Sequence, residues 1–236
     1  MKLDENIYML PLQRGDQPIF FNLSLLLDAE RGPTLIDTGL PGQLDAIAAL
    51  LAEAGVEVAD LKQIILTHQD IDHVGSLHDL VAASGAKVLA YAAEVATIDG
   101  TTLPRFLRPE ILAQRPELRP VAERFKSTPV DTELQDGDHL DLAGGVQVIF
   151  TPGHTPGHMC LYHETSRTLI AGDALTSEDG RLNGPNPGAT QDMVVAAQSV
   201  RKLAALDVRK IVCYHGGLVA EDAQAQLERV AGELAS

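Results

Sequence analysis

Leu66-Thr67-His68-Gln69-Asp70-Ile71-Asp72-His73-Val74-Gly75 is the stretch whose reading decides the fold. His68, Asp70, Asp72 and His73 put four metal-ligand side chains within six positions. A regular helix would place His68 and Asp72 on one face but turn Asp70 away, and a regular strand would separate Asp72 from His73. A tight loop converges all four. Such a loop at the end of a strand is where imidazole nitrogen and carboxylate oxygen meet around a divalent metal. The apolar run 63–66 reads as that strand, and a helix is expected to follow over 74–84.

Three more ligand-type residues, His154, Asp173 and His215, stand at strand ends in loops that glycine lets pass close to a crowded centre. Together with the first loop they make four histidines and three aspartates, enough for two metal ions sharing one carboxylate. Asp173 is the natural bridge. Apolar patterning predicts strands over 7–10, 19–27 and 34–36, a helix over 43–54, and strands over 63–66 and 87–90. Further strands are expected over 139–142, 146–151, 159–163, 168–171 and 210–213, with a loop over 177–189 and helices over 192–206 and 221–234. Thr34-Leu35-Ile36 with Asp37 after it echoes Thr168-Leu169-Ile170 with Asp173 after it, and each series continues through helix and strand to a histidine, His68 or His215. Two related halves would deliver ligands to one shared edge.

The segment 101–130 differs in character. It holds five of the 13 prolines and carries six basic residues against three acidic ones, so it is +3 while the remainder is −18. Long regular structure is not expected there. It reads either as a lid presenting Phe106, Phe125 and arginines to a substrate, or as a surface piece or homodimer contact that neutralises an acidic body.

A chain of 236 residues with 45% hydrophobic content can bury one substantial core, and a single domain over 1–236 is expected. The net charge of −15 repels nucleic acid and anionic membranes, so a small-molecule substrate is the expected partner. Cys160 and Cys213 are too few and too far apart for a disulfide framework. No signal-peptide core or stretch of transmembrane length is evident, and a cytoplasmic location is expected.

The order Thr67-His68-x-Asp70-x-Asp72-His73, Gly153-His154, Gly172-Asp173, His215-Gly216 resembles the metallo-β-lactamase superfamily. The resemblance runs through nearly the whole chain and implies an α/β fold, a four-layer αββα sandwich of two mixed sheets with metals along one edge. It also implies that His68, Asp70 and His154 hold one metal, that Asp72, His73 and His215 hold the other, and that Asp173 serves both. Asp37 is implied as a supporting group near the site, against the alternative of a carboxylate capping its own turn. His158, four residues beyond His154, reads as supporting or structural, and Cys213 as a buried inert thiol.

Asp70 departs from the histidine that most hydrolases of this superfamily carry. Two divalent cations, three carboxylates and a hydroxide sum to about zero formal charge, where a histidine at 70 would leave about +1. Carboxylate is harder than imidazole, so manganese or iron competes better with the expected zinc. The expected activity is hydrolysis of an ester, lactone, thioester or phosphotriester by a bridging hydroxide, with Asp72 orienting it or passing a proton. A di-iron redox enzyme is the alternative, since di-iron relatives carry a carboxylate at this position. They also need a flavin domain, for which no phosphate-cradling glycine loop is evident. A nuclease is opposed by the acidic balance.

Overall fold

Short apolar strands with both faces buried set the architecture. The protein, seen here in a computed structural model, is described over residues 1–15 and 17–234. Strands β1 (Ile7–Gln13), β2 (Phe20–Leu26), β3 (Thr34–Ile36), β4 (Gln63–Leu66), β5 (Lys87–Tyr91) and β6 (Thr132–Leu134) lie in that order in one sheet. Pairing is antiparallel from β1 to β3 and parallel from β3 to β6. The chain continues through β7 (His139–Leu140), β8 (Val146–Phe150), β9 (Met159–His163), β10 (Thr168–Ile170), β11 (Thr176–Glu178), β12 (Arg181–Asn183), β13 (Lys210–Cys213) and β14 (Gly217–Val219). The second sheet has the order β14-β13-β10-β9-β8-β7, and β11 with β12 forms a separate hairpin.

Side chains alternate across each strand and so sort into layers. Ile36, Ile65, Ile170 and Val212 point inward and meet between the sheets with Met159 and Leu161. Their neighbours Leu35 and Ile64 point outward, onto Ile47 and Leu51 of helix α1 (Leu44–Glu53). Behind α2 (Ile71–Val74), helix α3 (Leu77–Ser84) adds Leu77 and Leu80 to the same layer. On the far side, Leu169 and Ile211 pack under a second pair of helices. Before that pair come α4 (Val95–Ile98), α5 (Pro109–Gln114) and α6 (Arg119–Ala122), all short. The pair itself is α7 (Met193–Ala204), contributing Val200 and Leu203, and α8 (Ala223–Glu233), contributing Leu227 and Val230. The result is the expected αββα sandwich.

Strands that are apolar on both faces gain no register from burial alone, because a one-residue slip still buries oil on both sides. Hydrogen bonds at the strand ends supply it. Asp37 N–H donates to Ile65 O at 2.9 Å, and the Thr67 N–H donates to the Asp37 carboxylate at 2.9 Å. In the second sheet Ala171 N–H donates to Val212 O at 2.9 Å in the corresponding place. Register and site are thereby fixed by the same residues.

Several expectations are corrected. The helix expected over 74–84 starts earlier, at Ile71, and breaks after Val74 before resuming at Leu77, so Asp72 and His73 ride on its first turn. Gly75 permits this: a Cβ there would sit 2.4 Å from the Leu40 and Pro41 backbone. The loop expected over 177–189 contains most of the β11–β12 hairpin, turned by Asp179 and Gly180, both at positive φ. β14 is an addition to the expected strands. His163 reads from its sequence neighbours as a surface residue, yet it is 2% exposed, with its ring nitrogens bonded to Ser166 Oγ at 2.6 Å and Ala143 O at 2.8 Å. The segment 101–130 forms short helical turns, and Phe106 and Ala122 dock on Ile71 beside the ligand loop. No helix among the described residues is long and apolar enough to cross a membrane.

Candidate metal centre

Parallel pairing carries two histidines to one place. Ile36 lies opposite Ile65 and Ile170 opposite Val212, and His68 and His215 each follow three residues after the second member of the pair. His73 arrives on α2, His154 from the turn between β8 and β9, and Asp173 from the end of β10. The seven residues converge as three overlapping groups, His68/Asp70/His154, Asp72/His73/His215 and His68/His73/Asp173, each with ligand atoms within 4.8 Å of one another.

Spacing and unmet bonding capacity test the fit to metal. His154 Nε2 lies 3.2 Å from Asp70 Oδ2 and 3.4 Å from Asp173 Oδ2. His73 Nε2 is 3.4 Å from Asp173 Oδ1, and His215 Nε2 is 3.4 Å from Asp72 Oδ2 and 3.3 Å from Asp173 Oδ2. Four donors at metal distances of about 2.1 Å in a tetrahedron stand about 3.4 Å apart. The observed separations have that size. His68 Nε2, His73 Nε2 and Asp173 Oδ1 are buried without a hydrogen-bond partner, whereas on His154 it is Nδ1 that lacks one. Buried polar atoms without partners are costly and rare, so three aimed at one centre mark a place for a cation.

The outward-facing nitrogens explain why the inward ones are free. Thr67 Oγ1–H donates to Asp37 Oδ2 at 2.8 Å, so Thr67 Oγ1 accepts from His68 Nδ1–H at 3.1 Å. Asp37 Oδ2 also accepts from His73 Nδ1–H at 2.9 Å. Both rings thus hold their proton on Nδ1 and turn the Nε2 lone pair inward. Asp37, 1% exposed, caps no local turn; its partners are 30 and 36 residues away. His158 Nε2 accepts from Asp173 N–H at 3.0 Å and its Nδ1–H donates to Thr151 Oγ1 at 2.9 Å, so it supports Asp173 from behind.

Electrostatics agree. Burial, joined by repulsion from His73 and His154, holds His68 well below the ordinary imidazole value, which keeps it neutral. Burial opposes charge on His73 and His215 too. There the carboxylates win: Asp37 and Asp173 raise His73 well above its usual value, and Asp173 with Asp72 raises His215 to about 10. Burial would raise Asp173, but His73 and His215 hold it well below the usual carboxylate range. The carboxylates call for positive charge at the centre, and metal ions binding there would take the place of those protons.

The sequence model of the metallo-beta-lactamase superfamily matches residues 18–215. The chain belongs to this superfamily. It is 29% identical to a probable metallo-hydrolase, YflN, of Bacillus subtilis (strain 168), over 86% of this chain and 82% of that protein. It is 27% identical to an N-acyl homoserine lactonase of Bacillus thuringiensis, over 75% of this chain and 73% of the lactonase. Among solved structures, a metallo-beta-lactamase family protein from Thermus thermophilus is similar with a TM-score of 0.77 and 28% identity, covering 98% of this chain and 80% of that one.

Two supports within this superfamily fold were not read from sequence. Glu94, 1% exposed, accepts from Thr155 Oγ1–H at 2.7 Å and from Gly157 N–H at 2.6 Å through one oxygen, with the Gln69 amide alongside. Burial raises its carboxyl above the ordinary value against the lowering effect of these bonds. It ties the His154 turn to the turn that follows β5. Tyr214 stacks on the His73 ring at 3.8 Å and on Phe21 at 5.4 Å, and its hydroxyl donates to Asp72 O. An aromatic directly before a ligand histidine was the available signal for Tyr214; nothing local marks Glu94. Cys213 faces the α7–α8 layer, away from the cluster.

A cavity of about 440 Å³ opens over the cluster. Asp70, Asp72, His154, Asp173 and His215 form its floor, Phe21, Leu40 and Ile71 its apolar flank, and Arg105, Phe106, Ile111 and Leu118 the wall supplied by the 101–130 segment.

Proposed function

We propose that this chain is a dinuclear metal-dependent hydrolase acting on a small ester, lactone, thioester or phosphotriester. The observation that carries this reading is the meeting of two ligand triads on Asp173 at the floor of a cavity. His68, Asp70 and His154 would hold one ion and Asp72, His73 and His215 the other, with Asp173 within reach of both. Bound there, the metal pair supplies a Lewis acid for the substrate oxygen and lowers the pKa of water from about 15.7 to about 7.

The chain's own residues do the rest. Asp72 lines the cavity with its Oδ2 3.4 Å from His215 Nε2, which supports the reading that its carboxylate would take a proton from attacking water and return it to the leaving oxygen. Tyr214 and Asp37 hold the neighbouring His73 from two sides, which keeps that geometry rigid. Phe106 and Ile71 exclude water and shelve an apolar substrate portion. The 101–130 segment acts as a lid, and the similarity to an N-acyl homoserine lactonase supports lactones within the substrate panel.

Zinc is the expected metal, with manganese or iron favoured more than usual by the Asp70 carboxylate. That same carboxylate is the one observation on the side of a di-iron redox role. Metal analysis of freshly purified protein separates the two. Turnover of lactones, thioesters, aryl esters and phosphotriesters should then appear in zinc-, manganese- or iron-loaded protein and vanish on chelation. No turnover of any class with a full metal complement would refute hydrolysis.

A further inference from the structure

The cavity contains a charge that metal binding does not use. Arg105 lines it, half-buried on the short turn Arg105–Leu107 of the lid segment. Among the described residues its one hydrogen bond is a long one, from Nη1 to Ala189 O at 3.5 Å. The chain has 33 acidic residues against 18 basic, yet among the described residues no carboxylate forms an ion pair with Arg105. Arg115, also at the cavity, is by contrast paired with Glu117 at 2.6 Å, both largely exposed. A half-buried guanidinium without an anion forgoes the strong forked hydrogen bonds it is built to make.

Position adds to this. Ala189 lies on the loop whose next residues clasp the His154 turn, with Gln191 N–H donating to His154 O at 3.2 Å and Asp192 N–H to Gly153 O at 2.9 Å. The guanidinium is therefore moored to the backbone that carries a ligand of the proposed metal pair. Around it the wall is apolar, with Phe106, Ile111 and Leu118 on its own segment. A ligand that satisfies this surface has an apolar body and one carboxylate.

We propose that Arg105 is the carboxylate-recognition residue of this cavity, and that the substrate class is an amphiphilic ester, lactone or thioester carrying a free carboxylate beside an apolar chain. The class rests on the hydrolase reading; the recognition does not. A matched pair of unreactive amides, N-octanoylglycine and N-octanoylglycinamide, tests recognition by calorimetry on zinc-loaded protein. Wild type should bind the carboxylate about tenfold to a hundredfold more tightly than the neutral amide. Arg105→Met should erase that preference with little change for the neutral probe, and Arg105→Lys should keep part of it, since it preserves charge but not the fork. Equal affinities in wild type, or a preference that survives in R105M because the carboxylate sits on the metals, would overturn the proposal.

Kinetics with two aryl esters of the same length, one neutral and one bearing a terminal carboxylate, complete the test. Wild type should favour the charged ester through KM, and R105M should remove the advantage. If neither ester turns over while the amide preference stands, the hydrolase reading fails and recognition by Arg105 remains. If both turn over equally in wild type, recognition fails and hydrolysis remains.

Discussion

The half of the molecule built on β3 and β4 and the half built on β10 and β13 use one strand frame in opposite ways. Each has a strand reading Thr-Leu-Ile, paired in parallel with a second strand that ends shortly before a histidine. In the first half the aspartate comes one residue after the strand and stays behind the centre, bonded to Thr67 and His73. In the second it comes three residues after and reaches the centre, with a histidine, His158, behind it. The residue that faces the centre and the residue behind it have exchanged chemical identity. The two histidines of the frame also differ in exposure: the His68 side chain is fully buried while that of His215 is 34% exposed toward the cavity. His68 is thus the sealed corner of the site and His215 the open one, while Asp70 and Asp72 of the first half share the cavity floor with His154, Asp173 and His215.

Breaking the second half's aspartate should do most harm. Asp173→Ala removes the one carboxylate that faces His73, His154 and His215 together. Metal content should fall from both triads, and hydrolysis should drop at least about a thousandfold, equivalent to about 4 kcal/mol of transition-state stabilisation. Metal analysis after dialysis, with kcat/KM on the best substrate of the panel, reads both. A variant that keeps two ions and full turnover would remove Asp173 from the centre.

The corresponding change in the first half should be milder, because Asp37 acts on metal only through rings. Asp37→Asn weakens the acceptor that sets the Nδ1 proton of His73. Affinity at the Asp72/His73/His215 group should fall about tenfold to a hundredfold, measured by chelator competition. The other triad should change less, since His68 meets Asp37 only through Thr67. Equal losses at both triads would show that Asp37 supports His68 through Thr67 as strongly as it supports His73 directly.

Glu94 joins the halves, so its loss tests whether they are independent. Glu94→Ala strands the Thr155 hydroxyl and the Gly157 N–H, buried donors that lose their acceptor. The expected cost is about 1–3 kcal/mol of stability, a fall in Tm of a few degrees at this size. Affinity at the His68/Asp70/His154 triad should decline with it. An unchanged Tm would show that each half holds its own ligands without the cross-link.

The chain announces the centre because ligand geometry is local: four side chains in one loop, and glycine-flanked His154, Asp173 and His215. Asp37 is legible as a support only through the family resemblance, since its place after a strand fits a turn cap equally well. The other supports are not, because their environments are made by distant chain. Glu94 follows a strand in Tyr91-Ala92-Ala93-Glu94, which reads as an ordinary solvated turn; its burial comes from residues more than 60 positions away. His163 is buried for the same reason, by Ala143 from another turn. The β11–β12 hairpin did carry a local mark, Asp179-Gly180 between Ser177-Glu178 and Arg181-Leu182, but its strands are too short to show alternation.

The smallest effect concerns the cysteines, and it asks whether the second half is open only at the cavity. Cys160 on β9 and Cys213 on β13 are both fully buried under α7 and α8, and burial pushes each thiol up to about 12. The shift disfavours the reactive anion, so at pH 8 about one thiol in ten thousand is thiolate and no solvent path reaches it. Neither should react with an aromatic disulfide in the folded protein over an hour, and both should react at once in denaturant. Cys213 lies two residues before the partly exposed His215, so it is the residue through which the open corner would leak. Native labelling of Cys213 but not Cys160 would mean that the end of β13 opens with the cavity, and the contrast between a sealed His68 and an open His215 would then extend into the core.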